Sequence, residues 1–96
     1  MHSGVLTKDE VLTFLERKAD EKLLKKVCWY ILFHAENLVF SAYLLSLAKG
    51  EEEAERYLEF NKPLLEELRK LNERAGSYEV ADRMIELCLK YGIDPF

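Results

Sequence analysis

A chain of 96 residues, about half apolar and a third charged, has room for one domain with a modest core and reads as folded rather than disordered. Its 14 Lys and Arg are spread through every segment and outnumbered by 18 Asp and Glu, giving a net charge of −4. No concentrated positive field awaits a phosphate backbone, so nucleic-acid binding is not expected. Two cysteines outside any CxxC pair and two histidines cannot supply the four convergent ligands of a zinc site, so neither metal nor other cofactor is expected.

The first six residues carry no structural signal and are expected to be flexible, with no basic-then-apolar leader. Thr7 followed three residues later by Glu10 is a capping box, which predicts a first helix from Lys8 with Val11, Leu12, Leu15 and Ala19 on its apolar edge. A corner is predicted near Lys18 to Asp20, because a single rod to Lys49 would strand its first turns beyond any bundle. Asp20 and Glu21 place negative charge at the positive start of a second helix.

That second helix, ending at Lys49 and Gly50, holds the most apolar stretch of the chain, WYILFHAENLVFSAYLL from Trp29 to Leu45. At about 100° per residue it divides into three strips. Leu24, Val27, Cys28, Ile31, Ala35, Leu38, Val39, Ala42 and Leu45 form the broadest, the predicted core, with the Cys28 thiol acting as a small apolar group. Tyr30, His34, Asn37 and Ser41 form a polar strip, a candidate ligand-binding or catalytic line. Trp29, Phe33, Glu36, Phe40, Tyr43 and Leu47 form an aromatic strip, a candidate interface. His34 and Glu36 therefore point nearly opposite ways and do not act as a pair. The helix is long enough to span a bilayer, but His34, Glu36 and Asn37 at its middle argue for a soluble, cytoplasmic bundle with no membrane partner.

Glu51, Glu52 and Glu53 open a third helix whose apolar positions, from Ala54 and Tyr57 to Leu71 and Ala75, keep helical phase across Pro63. A helix kinked at Pro63 is predicted, with a break at Asn61 as the alternative. Ala75-Gly76-Ser77 ends it and caps a fourth helix with Val80, Ala81, Met84, Ile85, Cys88 and Tyr91 inside, stopped by Gly92. Arg83 is the only cation among Glu79, Asp82 and Glu86 on that helix, which disfavours its lying in a DNA groove. No Glu stands three residues before a His, which removes carboxylate-bridged di-iron sites. No Arg is followed by a His at four to six residues either, the signature of helical-bundle ribonucleases.

The fold expected is all-α, an antiparallel up-and-down four-helix bundle. Its second helix carries more apolar circumference than three neighbours can cover. The expected function is accordingly protein–protein interaction, with a second copy of the chain or another protein completing the core. A small-molecule-binding or catalytic bundle built on Tyr30, His34, Asn37 and Ser41 is the alternative.

Overall fold

The computed structural model describes residues 5–96, which form four helices: α1 (Lys8–Leu15), α2 (Glu21–Leu47), α3 (Glu51–Asn72) and α4 (Tyr78–Lys90). The expected flexibility of the first six residues lies, for residues 1–4, outside the described part of the chain. Leu6 packs against the core.

Each helix begins where its local chemistry directs. Thr7 Oγ1 accepts from the Glu10 N–H while the Glu10 carboxylate accepts from the Thr7 N–H, completing the capping box. Asp20 accepts from the Leu23 N–H at 2.8 Å, and Ser77 accepts from the Val80 N–H. Cap loss at such positions costs about 1 kcal/mol each. Gly50 takes φ +143° between α2 and α3 without a side-chain cap, a conformation L side chains rarely adopt. At the end of α4 the Gly92 N–H donates to Leu89 O and the Ile93 N–H to Cys88 O, a Schellman stop that turns Ile93 back into the core.

The four helices pack as a bundle around α2, which touches all three others and lies most extensively along α3. The core joins Leu24, Val27, Cys28, Ile31, Ala35 and Val39 of α2 to Leu64, Leu68 and Leu71 of α3 and to Ala81, Met84 and Cys88 of α4. Both cysteines are free thiols, fully enclosed, and burial pushes each up to about 11.

Several expectations are corrected. Leu38 and Leu45 were assigned to the core strip but lie at the surface, 37% and 75% exposed. The reason is length: α2 rises about 40 Å over its span, whereas α4 reaches about 20 Å and α1 about 12 Å. α1 and α4 therefore cover only the first half of α2, and around Leu45 α3 alone lies alongside it. On α1 the buried side chain is Phe14, while Leu12 and Leu15 are exposed. Phe14 stacks on Tyr78 with centroids 5.2 Å apart and meets the Phe96 ring at 6.1 Å. Those two rings rotate the docked edge of α1 away from the one its aliphatic spacing suggests. Asn61 does not start a helix: α3 is one helix through Pro63, and Asn61 is buried within it, donating to Tyr57 O.

The α1–α2 corner is held from a distance. Arg17 takes φ +64°, its guanidinium lies 4.1 Å over the Tyr78 ring, and it pairs with Asp82 at 3.0 Å. The Tyr78 hydroxyl donates to Phe14 O, which also accepts from the Arg17 N–H, and accepts from the Ala19 N–H, which lies between the two helices.

Candidate functional site

The aromatic strip of α2 is not covered by the rest of the chain. Trp29, Phe33 and Phe40 are 46%, 45% and 59% exposed, and Leu47 is open as well. Helical spacing sets them on one line about 27 Å long, eighteen residues at 1.5 Å each. Within it Trp29 stacks on Phe33 at 5.2 Å, and Phe40 lies against Tyr43 at 6.4 Å. These four rings pair along the helix and present their outer faces to solvent. Leu44, half exposed on the same side, belongs to this line although the sequence reading left it out; its angle on the helix was the available signal.

Glu36 interrupts the rings, and its charge is answered within the chain. Arg69 of α3 donates through Nε to Glu36 Oε2 at 3.0 Å, and its Nη2 lies 3.0 Å from the same oxygen. Glu36 therefore needs no cation from a second chain. The pair spans 33 residues of sequence, so no local pattern announces it. It walls one end of an open depression of about 330 Å³ lined by Asn37, Val39, Phe40, Leu58 and Leu65. A second open depression of about 560 Å³ lies at the other end of the strip, where Lys22, Lys25 and Lys26 surround Trp29.

The polar strip is less assembled. Tyr30 stacks on half-buried His34 at 5.4 Å and on Phe96 at 6.3 Å, so the C-terminal ring covers the start of the strip. Asn37 and Ser41 are exposed and open to water. No depression described in this structure is lined by His34. Among the described residues no buried side-chain nitrogen or oxygen lacks a hydrogen-bond partner, so none is left waiting for a ligand. No group of three His, Cys, Asp or Glu is placed to hold a metal ion among those residues.

A further open depression, about 570 Å³ between α1 and α2, mixes Glu10 and Asp20 with Lys18, Lys22 and Lys26. Lys26 there pairs with Glu10 at 2.9 Å. The backbone N–H of Thr7 and then the Lys26 ammonium hold the Glu10 carboxyl below its usual range. These charged contacts hold α1 against α2.

By length and composition alone α2 could cross a membrane. No protein family matches the chain, and no curated protein or solved structure is significantly similar to it.

Proposed function

We propose that this protein acts by protein–protein contact, as a two-fold homodimer whose α2 helices meet through Trp29, Phe33, Glu36, Phe40, Tyr43 and Leu47. One observation carries the reading. A line of aromatic and aliphatic side chains stays in water on the outer side of a helix whose inner side is already packed from Leu24 to Val39. Exposed apolar patches of this extent mark contact surfaces, and aromatic side chains are enriched at their centres. Glu36, neutralised by Arg69, can enter such a contact without leaving an unpaired charge.

The reading includes an up-and-down, antiparallel order of helices and a bend in α3 at Pro63. The short connections support the first, as does the approach of Gly76, after α3, to Glu21 and Lys25 at the start of α2. The missing N–H of Pro63 supports the second. It also includes a cytoplasmic setting without membrane insertion. His34, Glu36 and Asn37 would otherwise lie at mid-bilayer depth, where polar groups cost most. The alternative, a ligand or catalytic site along Tyr30, His34, Asn37 and Ser41, has the Tyr30–His34 stack in its favour, but none of the depressions described above is lined by His34.

Light scattering and sedimentation at high micromolar concentration test the proposal. The expected result is twice the mass of one chain, returning to a single chain in Phe40→Asp with its helical circular dichroism intact. A wild-type monomer, or an undiminished mass in Phe40→Asp, overturns it.

A further inference from the structure

Resting on that reading, we infer that the two copies cross antiparallel about Leu38, locked by the basic start of one α2 against the acidic start of the partner's α3. The contact strip is symmetric in position about this point. Trp29 and Leu47 stand nine residues on either side of Leu38, Phe33 and Tyr43 five, and Glu36 and Phe40 two. Antiparallel crossing therefore sets each ring against a different partner: the indole on the partner's Leu47, Phe33 on the partner's Tyr43. Parallel crossing would set each residue on its own copy.

Charge decides between the two orientations. Lys22, Lys25 and Lys26 surround Trp29 at one end of the strip. At the other end α3 opens with Glu51, Glu52, Glu53 and Glu55, the cations nearby being Lys49 and Arg56. Lys25 precedes Trp29 by about one turn and Glu51 follows Leu47 across the Gly50 turn, so reversing one copy brings the basic end of one strip to the acidic end of the other. The edge of α3 beside Phe40 repeats the gradient. At helical spacing it runs Glu51, Glu55, Leu58, Lys62, Leu65, Arg69, acidic at its start and basic toward its end. Reversing one copy against the other brings acid to base along that edge. Aligning them in parallel stacks three lysines on three.

The lysines are available for this. Lys26 is committed to Glu10, but Lys25 holds only an exposed contact to Glu21 at 3.5 Å, and Lys22 makes no ion pair among the described residues. An exposed pair of that kind is worth a few tenths of a kcal/mol and yields easily to a better partner.

The test uses two charge-reversed proteins, Lys22→Glu with Lys25→Glu, and Glu51→Lys with Glu55→Lys. All four positions are exposed, and circular dichroism confirms that each variant folds. Each variant alone is expected to dimerise at least about tenfold more weakly than the wild type, as like charges replace opposite ones. An equimolar mixture of the two is expected to recover a heterodimer of wild-type strength, because both ends of the antiparallel pair then regain opposite charges. If the wild type dimerises and the single variants do so equally well, this orientation is wrong while the dimer stands. A wild-type monomer overturns the dimer and this inference with it.

Discussion

The two ends of α2 differ sharply in what surrounds them. From Leu24 to Ala35 its inner side lies under Phe14 of α1, under Ala81, Met84 and Cys88 of α4, and under the returning Ile93. From Glu36 onward only Val39 is fully buried, and the helix continues beside α3 as a two-helix arm with Phe40, Leu44, Leu45 and Phe60 in water. Both halves are equally apolar in sequence. Burial here is decided by how far the neighbouring helices reach, not by the stripe a helix carries.

The sharpest way to break this contrast is to make the same truncation in the closed core and on the arm. Leu68→Ala, beneath the closed end, is expected to cost about 3 kcal/mol in urea unfolding, as a fully buried leucine does. Leu45→Ala on the arm is expected to cost less than about 0.5 kcal/mol. Equal costs would mean that the arm is packed after all. A smaller effect sharpens the picture of the closed end: Tyr78→Phe keeps the ring stack on Phe14 but removes the hydroxyl that bridges Phe14 O and the Ala19 N–H. About 1 kcal/mol is expected from that loss, with the unfolding midpoint as readout and the arm unaffected.

The smallest effect concerns pH. The folded Glu10 carboxyl titrates below its unfolded value, so its contribution is complete above the ordinary carboxylate range and is lost as pH falls through the folded value. Glu10→Gln is expected to flatten the acid side of a stability–pH profile slightly. An unchanged slope would remove Glu10 from the account of how α1 is held.

Which features the sequence discloses follows from range. Thr7 with Glu10, Asp20, Ser77 and Gly92 act within three or four residues, and each cap or stop forms where its residue type directs. The core positions of α2 up to Ala35 follow from period alone. What period cannot convey is the extent of the partners, hence the misplacement of Leu38 and Leu45. Nor can it convey a cross-helix choice. Phe14 displaced Leu12 and Leu15 as the buried residue of α1 because aromatic rings at Tyr78 and Phe96 receive it. Asn61 is polar and so was left out of the core, yet its amide finds the Tyr57 carbonyl one turn back. Of the candidate site, the line of rings was legible as a stripe, whereas the Arg69 partner of Glu36 was not.

The Tyr78 bridge also bears on the order of assembly. Its hydroxyl reaches backbone atoms 59 and 64 residues earlier in the chain, and the Arg17–Asp82 pair beside it closes a span of 65. The α2–α3 pair, joined through Gly50, needs no such long closure. Contacts of low sequence separation form first because less chain entropy is spent in closing them. α1 is therefore expected to dock last, once the first turn of α4 is in place to receive it.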